Sequence, residues 1–435
     1  MKTMKKVFAY FLMMLILFGA CSAYAETTDS KVVSDIRAKL VIQNFGGDAE
    51  KKTNAEMIAK FNEMYPNVVV EDNYTPFSTW SEYINVMLTR RAAGTPADLV
   101  YIGGEGVMLS AAKGMVRPLT ELIQNDIDEN FAAMLTDVNP TLLDCMSYDG
   151  EIYYMPTGHN GKALLYNKEL FDKAGVPYPT DDWTWDDFIE AAKKLTFVDE
   201  NGEQIYGYSL QFMTWCFDMW PMIFGSEGPL KNHWSESNLD DPLVAEAYHY
   251  IYDMVYTHKI CPVPEAGTSA TNLFASGRVA MITEGSMFRR SAMGSDILNH
   301  LGIAKVPMAP DGSGRRVAIY GPLGWGISSD CKNPELAWEL LKLFASEERQ
   351  EALVMAGGAT PISRSVAMKA LVTDEGDYSL WYDYIEDGMP MCCPVNFTEY
   401  DKIMQDCVAA FMSNSMTIEE ALANAHEELQ EALQY

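Results

Sequence analysis

The chain has 435 residues, 48% of them hydrophobic, and a formal charge of -29 at pH 7. That length favours two or three lobes over one and supports substantial cores. The charge argues against nucleic acid, which is held by clustered Lys and Arg, and the sequence shows no basic patch. At the N-terminus, Lys2, Lys5 and Lys6 precede the apolar run 7–18, too short to cross a bilayer comfortably but suited to an export signal. Two processing sites compete. Phe18-Gly19-Ala20-Cys21 resembles a lipoprotein box, giving a 1–20 signal and lipidation of Cys21, although Phe18 stands where Leu is usual. Ala23-Tyr24-Ala25 suits ordinary signal peptidase and a 1–25 signal. Residues 26–37 are polar and aperiodic, as in a tether.

The fold begins at residues 39–45, a short apolar run that predicts a strand ending at Gly46-Gly47. Met57, Ile58, Phe61 and Met64 then carry helical spacing over residues 49–65. Val68, Val69 and Val70 predict a strand, residues 78–93 a helix, and residues 97–102 a strand. Asp149-Gly150 predicts a tight turn. A second alternating region follows, with helices near 184–195 and 242–257, a strand near 302–307 and a helix over 334–345. Residues 374–435 read as wholly helical. Strands alternating with helices imply βαβ units and parallel sheet covered on both faces. The eight cysteines have no regular spacing and no paired CxxC motifs, so buried free thiols are expected, with no zinc.

Several phrases occur in a telling order. Gly94-Thr95-Pro96-Ala97-Asp98-Leu99-Val100-Tyr101 precedes Gly114-Met115-Val116-Arg117-Pro118-Leu119. Tyr148-Asp149-Gly150-Glu151-Ile152-Tyr153-Tyr154-Met155-Pro156 leads to Leu165-Tyr166-Asn167-Lys168-Glu169-Leu170-Phe171, Ala174-Gly175-Val176-Pro177 and Thr184-Trp185-Asp186-Asp187-Phe188. Phe274-Ala275-Ser276-Gly277-Arg278-Val279-Ala280-Met281 and Asn333-Pro334-Glu335-Leu336-Ala337-Trp338 complete the series. Together they resemble bacterial family 1 extracellular solute-binding proteins, among them the maltodextrin-binding proteins. The resemblance runs from about Lys39 to the C-terminus. The matched residues are mostly architectural: Gly175 and Pro177, for example, stop a helix.

The resemblance implies a two-lobed α/β fold of the periplasmic-binding-protein type II class, with a hinge between lobes. The first lobe is expected to hold residues 39–157 and 302–358, the second 160–301 and 359–435. Ligand contacts belong on loops where strands end. Asn44 follows the opening strand. Glu105 stands where maltodextrin-binding relatives place a carboxylate that accepts sugar hydroxyls; an exposed loop acid is the plain alternative. Asn160 stands where relatives place a polar sugar-binding residue; a hinge asparagine serving backbone is the alternative. Trp215, Trp220, Trp325, Phe397 and Tyr400 fall in segments the resemblance places near the cleft, though core packing competes for each. One departure is Glu284-Gly285-Ser286-Met287, where relatives often carry an Asn-Gly-Pro-Trp-like phrase.

Enzyme signals are thin. Gly103-Gly104-Glu105-Gly106 lacks the Lys-Ser/Thr ending of a phosphate loop, and no GxSxG or HExxH motif occurs. The expectation is a binding protein without cofactor, metal or catalysis, acting as a monomer. It would capture a small solute, expected to be a sugar or oligosaccharide, for ABC permease subunits in the membrane. It would sit on the outer face of the cytoplasmic membrane as a lipoprotein, or be periplasmic or secreted if cleaved after Ala25. The rival readings are the same fold binding a polyamine, peptide or organic acid, and a secreted polysaccharide-active enzyme.

Overall fold

A computed structural model describes residues 33–76, 80–263, 269–288, 295–373, 376–377 and 379–434. The export signal, Cys21 and Ala25 lie outside the described residues. Two sheets organise the rest. In the first, the strands run in the order Met389–Pro390, Ile319–Ile327, Leu99–Gly103, Ala38–Asn44 and Val68–Tyr74, with Tyr154–Gly161 also paired to Ile319–Ile327. In the second the order is Leu301–Ala304, Ala163–Asn167, Val279–Glu284, Gln204–Tyr208 and Phe197–Val198.

The opening strand pairs in parallel with both neighbours, Ala38 opposite Val68 and Ile42 opposite Leu99. Leu99–Gly103 and Ala163–Asn167 are buried at every position, as strands covered on both faces must be. Helices supply the covers, and their ends are written locally. Trp185–Lys194 starts with Thr184 and Asp187 exchanging hydrogen bonds in a capping box and ends on Lys193 and Lys194, which complement the helix dipole. It buries Trp185, Phe188 and Ile189. Pro242–Tyr256 opens on Asp241, whose carboxylate accepts from the Leu243 N–H at 3.0 Å. The turn at Asp149-Gly150 has φ of 50° and 81°, the doubly positive geometry that Asp-Gly tolerates in a two-residue hairpin.

Three expectations are corrected. The strand predicted near 302–307 is Leu301–Ala304, and it pairs with Ala163–Asn167, so it extends the second sheet and does not return to the first. The following segment stays on that side: the Trp185 N–H donates to Met308 O at 2.9 Å, and Arg315 Nε to Ile223 O at 3.0 Å. The chain rejoins the first sheet only at Ile319. Nor does it leave at Gly358. Val366, Ala367, Trp381 and Ile385 pack in one core with Leu40 and Trp325, and Met389 pairs beside Ile319. Residues 374–435 are therefore not all helix: Met389–Pro390 is a strand between Leu380–Asp387 and Phe397–Met412. The physical reason is common to all three, since apolar periodicity marks a buried face without saying which sheet that face covers. The described cysteines are free, and all but Cys145 are buried.

Candidate functional site

The two sheets meet at one strand. Ile319–Ile327 is paired at Leu323 with Gly103 and at Tyr320 with Gly161. Gly161 is followed by Lys162, and Ala163 then opens the second sheet opposite Glu284. The C-terminal end of Leu99–Gly103 and the C-terminal end of Val279–Glu284 are thus brought to opposite sides of one crossing, the position where crevices form in open α/β sheets.

On the first side, a single turn at Gly104–Gly106 follows the strand and carries Glu105. A Cβ on Gly103 would lie 2.3 Å from Glu105 Oε2 and 2.8 Å from Trp80 Cζ2, so glycine there lets the carboxyl fold back beside the Trp80 ring. Glu105 is buried, 9% exposed. That burial pushes its pKa up to about 8, its own backbone N–H partly opposes the shift, and Asp401 adds to it. Burial thus favours the protonated carboxyl, which both donates and accepts, over the acceptor-only carboxylate that the resemblance implies. Asp401 comes from the helix Phe397–Met412 and accepts from Thr214 Oγ1 at 2.6 Å and Gln405 Nε2 at 2.9 Å. Beneath it, burial drives the Asp218 carboxyl well above the usual range, with Tyr400 beside it. Among the described residues these acids do not make a metal-holding group.

On the second side stands Lys162, whose side chain is 1% exposed. Its Nζ lies 3.0 Å from Glu284 Oε1, 3.3 Å from Gln211 Oε1 and 3.9 Å from the centroid of the Trp215 ring. Trp215 is the partly exposed member of the expected aromatic set. Asn160 lies on Gly285, where a Cβ would sit 1.7 Å from Asn160 Oδ1, and that oxygen is buried without a partner among the described residues. The charge of Asp401 is felt at Glu105, Asp401 is bonded to Thr214, the chain neighbour of Trp215, and Trp215 leads to Lys162 and Glu284, next to Gly285 and Asn160.

The remaining expected contacts fall elsewhere. Trp325 is fully buried with both faces covered, by Tyr101 at 4.9 Å and Phe344 at 4.6 Å. Trp220 is likewise enclosed, by Trp185 at 4.5 Å and Tyr250 at 6.0 Å. Neither has a face to offer a solute, and both belong to the cores. Phe397 and Tyr400 are also buried in the second core, Tyr400 supporting the site from below through Asp218. Asn44 is fully buried, and its Oδ1 accepts the Phe45 N–H at 2.8 Å. It shapes the loop beside Asp72, whose pKa burial raises to about 6. Sequence reasoning missed Lys162, Gln211, Thr214 and Asp401. Lys162 had a signal, a cation inside the run Gly161-Lys162-Ala163-Leu164-Leu165. A groove of about 720 Å³ lined by Arg117, Asp126, Ile127, Trp338 and Lys342 opens at the far end of the first sheet, where Arg117 N–H meets Ile327 O.

Residues 47–351 match the model of the bacterial extracellular solute-binding protein family. The chain belongs to this family. It is a solute-binding protein of an ABC importer, and among the described residues no helix is long and apolar enough to cross a membrane. An ABC substrate-binding protein from Listeria monocytogenes, solved with cycloalternan, is similar to it with a TM-score of 0.80 at 22% identity, over 92% of this chain and 99% of that one. A solute-binding protein from Thermotoga lettingae, bound with alpha-D-tagatose, reaches 0.78 at 23%, over 91% and 100%. These likenesses establish the two-lobed fold of this solute-binding protein. In sequence, a putative binding protein of Brucella abortus is 24% identical over 342 residues, 77% of this chain and 78% of the relative. The sn-glycerol-3-phosphate-binding periplasmic protein UgpB of the same species is 28% identical over 293 residues, 63% and 64% of the two chains.

Proposed function

We propose that the crevice between the sheets captures a neutral sugar or oligosaccharide, and that the lobes close on it before delivery to the ABC permease. The observation that carries this reading is the placement of a carboxyl that burial favours in its neutral form, Glu105, and a partly exposed indole over a buried ion pair, Trp215, on opposite sides of one crossing. Sugar rings present apolar C–H faces and polar rims, which an aromatic face and hydrogen-bonding carboxyl or amide groups match. Sugar-bound structural relatives support the same class. The lobes we assign are the two sheets with their covering helices, joined near 161–163, 305–318 and 391–396. The protein would act as a monomer, with no catalysis and no affinity for nucleic acid. It would be anchored through Cys21 if the lipoprotein site is used, in which case Cys21→Ala releases it from membranes; unchanged retention would remove the anchor.

Charge bears on the anionic alternative suggested by the glycerol-phosphate relative. Asp401 and Glu284 flank the crevice, and among the described residues the buried cation there, Lys162, is 1% exposed and already paired with Glu284. A phosphate needs convergent Arg or Lys, so this site suits it poorly. Calorimetry against maltose, maltotriose, mannobiose, tagatose, sn-glycerol 3-phosphate and spermidine tests the class. A neutral sugar should bind, without calcium. Binding of the phosphate or the amine with no sugar bound would overturn the assignment.

A further inference from the structure

We propose that Lys162 is a specificity-determining residue: fixed under one face of Trp215, its ammonium biases the opposite face toward uncharged rings and against cationic solutes. The inference rests on the sugar reading above and refines it. Nζ stands 3.9 Å from the indole centroid, and the side chain cannot swing away, being 1% exposed and tied to Glu284 at 3.0 Å and Gln211 at 3.3 Å. It also stays charged. Burial pulls its pKa down, but the charge and hydrogen bond of the neighbouring Glu284 carboxylate oppose that, and the pKa stays raised.

An indole attracts cations because its face is negative. We take the ammonium, 3.9 Å from the ring centroid, to outweigh its Glu284 partner there, so that a second cation on the other face meets repulsion across the thickness of the ring. The C–H face of a neutral sugar is held by dispersion and burial of apolar area, which that charge leaves nearly untouched. The acids on the opposite wall give this device a purpose. Asp401 and, above its raised pKa, Glu105 would draw amines into the crevice, and a cation behind Trp215 counters them.

The test compares quenching of indole emission by iodide and by caesium in the solute-free protein. Subtracting the Trp215→Phe signal isolates Trp215. The double variant Lys162→Met/Glu284→Gln removes the ammonium without changing net charge or leaving a buried carboxylate unpaired, and Lys162→Arg keeps the cation. The iodide-to-caesium quenching ratio of Trp215 should fall severalfold in the double variant and be retained in Lys162→Arg. Spermidine affinity should rise about tenfold in the double variant. Identical ratios in wild type and a folded double variant would overturn the proposal, as would unchanged rejection of spermidine. A quenching contrast as expected, with no sugar bound in the calorimetric panel, would sink the sugar assignment while leaving the charge effect on Trp215 standing.

Discussion

The two walls of the crevice both bury ionisable groups, and they resolve the problem in opposite ways. Among the described residues no cation pairs with Glu105, so burial moves its pKa to about 8 and favours the protonated form at neutral pH. Lys162 is more deeply buried, yet it keeps its charge because Glu284 lies 3.0 Å away. Desolvation alone neutralises a group, whereas desolvation with a partner preserves the ion. In the proposed function, one wall would offer a solute a switchable donor and acceptor, and the other a fixed field under a flat ring.

The contrast is broken most severely on the paired side. Lys162→Met alone strands the Glu284 carboxylate, and loss of one member of a buried pair costs about 3–5 kcal/mol. Thermal or urea unfolding of Lys162→Met should show that loss, and the Lys162→Met/Glu284→Gln double variant should recover most of it. A single variant as stable as wild type would mean that the pair is not desolvated. On the unpaired side the effect is smaller and depends on pH. The folded pKa of Glu105 lies above its unfolded value, so the native state binds more protons and wild-type stability falls as pH rises from about 4.5 through about 8. Glu105→Gln removes that slope. Its unfolding free energy should match or trail wild type near pH 5 and exceed it at pH 9, by a gap on the order of a few kcal/mol. Parallel pH profiles for the two proteins would show that Glu105 is ionised throughout. A smaller effect is expected at Gly285→Ala, where the new methyl displaces the Asn160 carboxamide. Repacking of this kind costs about 1–3 kcal/mol, and solute affinity should fall with stability. Unaltered affinity would detach Asn160 from the site.

Much of the fold was legible in the sequence because its signals are local. The helices near 184–195 and 242–257, the Asp149-Gly150 turn and the helix over 334–345 all stand where sequence places them. The crossings were less legible. Nothing local distinguishes a strand that extends one sheet from a strand that returns to the other, and Leu301–Ala304 and Met389–Pro390 were misassigned for that reason. Within the proposed site, Glu105, Asn160 and Trp215 are the residues that resemblance singles out and that the structure leaves near the crossing. Trp220 and Trp325 carry the same residue type in plausible segments, and only the rings packed on both their faces reveal a core role. Lys162 and Glu284 are far apart in sequence, and their pairing exists only once the second sheet has formed.

The central claim is that one neutral solute touches both walls. The most direct measurement is a calorimetric double-mutant cycle on the sugar that binds wild type, using Glu105→Ala, Trp215→Ala and the two combined at pH 7. Each single change should weaken binding by about tenfold or more, and together they should reduce it below detection while the protein remains folded. Affinity unchanged by either substitution would place the solute elsewhere and contradict the account.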